Sequence, residues 1–195
     1  IENQLWADIK SKYKDYAGGH LYFYTPAKSD DAVYLPGASA VVEDLGVAIP
    51  ENSVYALAFD PKYGLIYGIS YPDAEFFSFD LSQNSFLRHG KWLETLAYPG
   101  PERSWRGIPR ALAIDSDGVV WSSGDGGLLK FYDPRTGEMG VTNMRIPGEY
   151  WETQNYDAYP VVEQLFATSS CNLIGTTSDG FVFTAQTNIG RLSGW

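Results

Sequence analysis

One pattern recurs along this chain at a nearly constant interval, and it restricts the fold more than any average property could. Tyr55-Ala56-Leu57-Ala58-Phe59-Asp60 lies over Arg110-Ala111-Leu112-Ala113-Ile114-Asp115 at an offset of 55 residues. Glu163–Thr168 follows 53 residues later with a looser match. A second stretch repeats alongside: Gly18–Pro26, Asp73–Leu81, Gly126–Pro134 and Asp179–Thr187 superpose at steps of 55, 53 and 53. Repeats of this length mark arrays in which each unit buries its apolar faces against its neighbours.

The unit is clearest between Val54 and Trp92. Val54–Phe59 is apolar and ends in Asp60-Pro61-Lys62-Tyr63-Gly64; Leu65–Ser70 ends in Tyr71-Pro72-Asp73. Phe76–Leu81 ends in Ser82-Gln83-Asn84, and Ser85–Trp92 is a more polar fourth run. Each run has strand length and each break carries the Gly, Pro, Asn or Asp that a tight reversal needs. A four-stranded antiparallel meander of this kind is one blade of a β-propeller. The expected fold is therefore all-β, with one propeller portion spanning 1–195: a short helix plus a partial blade (1–49), then blades at 50–92, 109–146 and 161–195. The helix is expected over 2–16, where Leu5, Trp6, Ile9 and Tyr13 form one apolar stripe ending at Gly18-Gly19. About three and a half four-stranded blades fit this length, and a closed ring needs four to eight. The chain is thus expected either as a fragment of a larger propeller of roughly seven blades or as an arc completed by a second copy or another protein chain.

Aromatic residues are 15% of the chain, as suits sheets covered on both faces. A net charge of −10 argues against nucleic acid and anionic membranes as partners, because both repel an acidic surface. No run approaches 18 apolar residues. A single cysteine, Cys171, leaves no disulfide framework and no multi-cysteine metal site; it reads as a small apolar residue. His20 and His89 are far apart and give no metal signature, so neither a metal nor a cofactor is expected. His89, on a fourth strand, is expected to be solvated. No phosphate loop, dinucleotide fingerprint or nucleophile elbow is present.

The period is longer than four short strands require, and the surplus falls at Leu93–Ile108 and Pro147–Pro160. Such connections share a rim with the turns between second and third strands, and long loops on a rigid scaffold are where function is sought. This rim offers Tyr71, Trp105, Arg106, Arg110, Trp151 and Tyr156 as candidate ligand-binding residues. Aromatic faces stack on sugar C–H groups, and carboxylates, amides and guanidinium groups pair with hydroxyls. Arg103, Arg106 and Arg110 could clamp a carboxylate or sulfate. Arg110 enters a first strand, so its charge calls for a partner. The function these residues favour is binding of a carbohydrate-like or small polar ligand.

The segments IDSDGVVWSSGDGGLLKFYDPRTGEM (114–139) and LAFDPKYGLIYGISYPDAEFFSFDL (57–81) resemble repeats of the NHL-like and virginiamycin-B-lyase-like propellers. They are also similar to repeats of propeller-type polysaccharide lyases. The resemblance covers about 18–187 and implies the fold. It also implies an alternative activity: a lyase on an anionic, uronate-containing polysaccharide, with Arg110 neutralising the carboxylate and His20 or Tyr71 moving the proton. Glu75 stands where such a site would carry a His. A third reading is a structural subunit that completes a larger propeller. Composition and resemblance together imply a secreted or periplasmic setting.

Overall fold

The structure is a computed structural model describing residues 15–25, 41–93, 107–148, 151–153, 156–158, 160–170 and 172–187, with the backbone alone for 151–153 and 156–158. β1 (His20–Thr25) and β2 (Val41–Val47) pair antiparallel. β3 (Ser53–Asp60), β4 (Leu65–Tyr71), β5 (Glu75–Asp80) and β6 (Ser85–Lys91) form a four-stranded antiparallel meander in that order. β7 (Ala113–Ile114), β8 (Val120–Ser123), β9 (Leu128–Asp133) and β10 (Glu138–Arg145) form a second. β11 (Trp151–Thr153) and β12 (Tyr156–Ala158) make a small hairpin. β13 (Val162–Ala167), β14 (Asn172–Thr177) and β15 (Val182–Gln186) form a three-stranded meander. The β1–β2, β3–β6, β7–β10 and β13–β15 sheets are blades A, B, C and D of a β-propeller, with the first strand β7 lying against both β3 and β13.

The turns follow from aspartates closing the first and third strands. Asp60 Oδ1 accepts the N–H groups of Lys62 (2.9 Å) and Tyr63 (3.4 Å), and Asp80 Oδ1 those of Ser82 (2.7 Å) and Gln83 (3.1 Å). Asp115 Oδ1 accepts from Asp117 and Val119, both at 3.0 Å, and Asp133 Oδ1 from Arg135 at 3.0 Å. Side-chain acceptors of this kind replace the ladder partners that the chain loses as it reverses.

Alternation within each strand serves two interfaces at once. Phe76 points toward blade C, where it joins Tyr67, Ile69, Trp92, Leu112 and Tyr132 in one buried cluster. Its neighbour Phe77 points the other way and joins Phe79 and Leu21 of blade A. Successive residues on a strand face opposite sides of the sheet, so a strand covered on both faces reads as a continuous apolar run. Phe76 and Phe77 are both 0% exposed, and burying a side chain of this size contributes about 1.5–3 kcal/mol. The third interface, C to D, gathers Trp121, Leu129, Val162, Leu165, Leu173 and Phe183 among others.

Phe77 and Phe183 lie across glycines on the neighbouring strand. Phe77 pairs with Gly68, and a Cβ there would sit 2.3 Å from the ring; Phe183 pairs with Gly175, where the distance would be 2.7 Å. The ring takes the space that a side chain would fill.

Several sequence expectations are revised. β7 is only two residues long. The residues before it turn their backbone elsewhere: Arg110 N–H donates to Val162 O of blade D (2.9 Å), and Ala111 O accepts from Ser122 Oγ (2.6 Å). The connection 147–160, read as a loop, holds the β11–β12 hairpin. His89 is half-buried rather than solvated. Its ring lies 5.2 Å from that of Phe76 and 4.5 Å from that of Tyr132, and its Nε2 is 2.9 Å from Ser78 Oγ. The fourth strand faces the next blade, which the sequence of one strand does not disclose. The helix expected over 2–16 falls almost entirely outside the described residues, as does Cys171.

Candidate functional site

Three residues at one repeat position converge where the first strands begin. Tyr55, Arg110 and Glu163 stand at the offsets of 55 and 53 that define the repeat. Arg110 Nε donates to Tyr55 Oη at 3.2 Å, and its Nη1 forms an ion pair with Glu163 Oε1. One blade supplies the cation, the next its counter-charge and the one before its phenol. The Tyr55 ring lies 5.5 Å from that of Tyr71, tilted by 33°. Tyr71 closes β4 opposite Ser53, so the four side chains share one rim.

The backbone around them is held by buried polar side chains. Asn52, 4% exposed, donates through Nδ2 to Asp73 Oδ2 (3.0 Å) and accepts at Oδ1 from Ser70 Oγ (3.0 Å) and Asp73 N–H (3.1 Å). Ser70 Oγ in turn accepts from Glu75 N–H (3.0 Å). This network fixes the turn after Tyr71 against the start of β3. On the other side, Ser123 Oγ accepts from Val162 N–H (3.1 Å) and Ser123 O from Trp92 Nε1 (2.8 Å). Together with the Arg110 N–H to Val162 O bond, it ties Arg110 to both neighbouring strands. Buried polar groups satisfied this completely make a rigid support.

The electrostatics are those of a partly open site. The Arg110 and Glu163 side chains are 45% and 29% exposed, so their ion pair is solvent-screened and worth little as a stabilising contact. The Tyr71 hydroxyl is held above the usual phenol range, first by burial and then by the neighbouring Tyr55. It therefore keeps its proton at neutral pH. Two of the five N–H donors of Arg110 are engaged by described residues. Tyr55 and Tyr71 each turn part of their ring into the blade B–C cluster, so they serve packing as well as the rim.

Of the residues singled out from sequence, Arg110 and Tyr71 are brought into one cluster, linked through Tyr55. His20 is not part of it. It lies on blade A with Nδ1 2.9 Å from both carboxylate oxygens of Asp44, beside the Tyr22 ring. The Asp44 carboxyl is held below its usual range by that bond first and by the Gly46 N–H second. Trp105 and Arg106 lie outside the described residues. Trp151 and Tyr156 fall in β11 and β12, where the backbone alone is described. Tyr55, Glu163 and Asn52 were not anticipated. The signal for the first two was present, since residues equivalent to Arg110 in adjacent blades must approach the same axis.

Among the described residues, no group of three or more His, Cys, Asp or Glu could hold a metal ion. A cleft of about 370 Å³ opens between blades C and D, bordered by Leu129, Met144, Arg145, Phe183 and Gln186. It shares no residue with the Arg110 cluster, and Arg145 already has a partner.

No family model matches the chain, and no curated protein matches it in sequence. Solved structures do match. A chain of a nidogen/laminin complex superposes with a TM-score of 0.53 at 12% identity, covering 80% of this chain and 53% of that one. YCF48 bound to a D1 peptide gives a TM-score of 0.49 at 15% identity, with coverage of 75% and 40%. The extracellular domain of the putative one-component system BT4673 from B. thetaiotaomicron gives 0.46 at 14% identity, with coverage of 74% and 17%. The chain thus spans about half the length of the nidogen-complex chain and less of the others. At these identities the likeness concerns the fold alone: the protein belongs to the class of β-propellers.

Proposed function

We propose that the rim around Arg110 binds a small polar ligand of carbohydrate type that carries an anionic group. The observation that carries this reading is the Arg110 guanidinium: 45% exposed, held by Tyr55 and Glu163 from two other blades. A planar cation fixed in this way suits bidentate pairing with a carboxylate or sulfate. Tyr55 and Tyr71 supply adjacent aromatic surface, as sugar recognition requires. The sequence offers Trp105, Arg106, Trp151 and Tyr156 as further candidate ligand contacts, in a secreted or periplasmic protein.

The uronate-lyase alternative needs a base beside the same cation. Tyr71 retains its proton at neutral pH, and His20 is committed to Asp44 in blade A. The arrangement therefore favours binding over elimination.

The test is titration calorimetry of the full protein with uronate-containing and neutral oligosaccharides. The acidic sugars are expected to bind, and Arg110→Ala to weaken them by about tenfold or more, since a hydrogen bond to a charged group contributes about 1.5–3 kcal/mol. Glu163→Gln frees the guanidinium from its counter-charge and is expected to tighten binding of the same ligands. Arg110→Ala binding as well as the unaltered protein, or no binding by any acidic sugar, would overturn the proposal.

A further inference from the structure

Two of the three side chains that meet at the rim are aimed there by irregularities in their own strands. In β3, Val54 pairs with Ser70 and Ala56 with Ile69, so Tyr55 between them is passed over in the ladder. In β13, Val162 pairs with Thr177 and Gln164 with Thr176, and Glu163 is passed over in the same way. Arg110, at the same repeat position of blade C, stands ahead of the two-residue β7. A β-bulge leaves one residue unpaired and re-aims its side chain, and bulges are over-represented next to active sites. The backbone beside the Glu163 bulge is pinned. Val162 is 0% exposed, its N–H donates to Ser123 Oγ (3.1 Å) and its carbonyl accepts the Arg110 N–H (2.9 Å). Stability does not explain this construction, because an ion pair whose side chains are 45% and 29% exposed contributes little.

We infer that Glu163 determines which ligand this rim selects, and that the ligand is zwitterionic: a sugar acid with an ammonium group beside its carboxylate. The inference rests on the binding role proposed for Arg110 and narrows its ligand class. Arg110 and Glu163 together present one positive and one negative charge at a single point of the rim. A plain acid that pairs with the guanidinium must also face the Glu163 carboxylate, and juxtaposed like charges repel. An amino sugar acid offers its carboxylate to Arg110 and its ammonium to Glu163, so every charge keeps a partner. A neutral sugar carrying only the ammonium would meet the opposite difficulty at Arg110. The charge of the whole chain acts in the same direction. At −10 it repels an anion at long range, whereas a ligand without net charge escapes that repulsion. Tyr55 and Tyr71 offer the same aromatic surface to each of these sugars and do not discriminate among them.

Calorimetry on the full protein compares three probes: glucuronate, glucosaminuronate and the N-acetyl derivative of the latter, which keeps the acid and the nitrogen but has no ammonium. Glucosaminuronate is expected to bind about tenfold or more tighter than either of the others, as a hydrogen bond between charged groups implies. Glu163→Gln is expected to reverse the order, weakening glucosaminuronate while it tightens glucuronate. Thermal unfolding checks that this variant folds, and the comparison of the amino and N-acetyl compounds needs no variant at all. Equal affinity for those two compounds overturns the inference, as does a glucosaminuronate affinity that rises in Glu163→Gln. If glucuronate binds and Arg110→Ala weakens it while the ammonium adds nothing, selection by Glu163 fails and the acid-binding role of Arg110 stands. Binding of none of the three overturns both.

Discussion

Among the described residues, blade B meets blade C across its full width and blade A across only its outer half. On the first side, Phe76, Tyr67 and Trp92 are enclosed with Leu112 and Tyr132 of the next blade. On the other, Phe77 and Phe79 are enclosed while Leu57 and Phe59 face solvent. Both faces are equally apolar in sequence, so their burial is set by what lies opposite. In a repeat array the stability of each unit is a sum of its own sheet and its neighbour terms. The B–C interface should therefore hold the fold together, and the exposed Leu57 and Phe59 should contribute little.

The sharpest way to break this contrast is Phe76→Ala. Phe76 is 0% exposed and its ring lies within 4.9–6.0 Å of those of Trp92, Tyr132 and Tyr67. A loss of about 3–5 kcal/mol is expected from transfer and cavity terms together. Urea unfolding measures it, and a loss under about 1 kcal/mol would mean that the interface is not packed as described. The paired comparison is more specific. Leu112→Ala should cost about 2–5 kcal/mol and Leu57→Ala only a fraction of that, although the two leucines share a repeat position. Equal losses would show that Leu57 is covered in solution.

The same pair shows how far the sequence could be read. The repeat of Tyr55–Asp60 in Arg110–Asp115, with turns marked by Asp, Gly and Asn, was enough for the blades and their strand order, because local chemistry determines both. It also placed Arg110 and Tyr71 on one rim. It did not reveal that His89 is half-buried against Tyr132, because that contact lies between blades and has no local signature. Nor could it assign Glu163 to Arg110 without treating equivalent positions in successive blades as neighbours in space. Trp105 and Arg106 gain no structural account, since they fall outside the described residues.

Gly68→Ala tests the same interface from the backbone side. A Cβ at Gly68 would come within 2.3 Å of the Phe77 ring and 2.9 Å of Leu57 Cδ2. The Phe77 ring is enclosed by blade A and cannot swing clear, whereas the exposed Leu57 can. Overpacking of this kind costs about 1–3 kcal/mol. The double variant Gly68→Ala/Leu57→Ala separates the two contacts. Little recovery is expected if Phe77 is the obstacle, and full recovery would place the strain on the open side instead.

His89 gives the smallest effect and the one with a defined pH window. Burial against Phe76 and Tyr132 lowers its affinity for a proton in the folded state. The unfolded chain titrates near the ordinary imidazole value of about 6.5. Above that pH both states are neutral at this residue and it contributes no pH dependence. As pH falls below it, the unfolded state takes up a proton that the folded state resists, and stability declines until the folded imidazole also titrates. Each unit of depression is worth about 1.4 kcal/mol at most. Asp44 and Asp80 are exposed carboxylates held below their usual range by hydrogen bonds to His20 and Ser82 first. Their contributions are present above about pH 4 and are lost only below it, so they do not overlap the histidine window. His89→Gln keeps a polar partner for Ser78 Oγ and removes the titration. Urea midpoints between pH 8 and pH 5 should fall for the unaltered protein and fall less for the variant. Parallel curves would mean that His89 reaches solvent and that blade C does not close over the fourth strand of blade B.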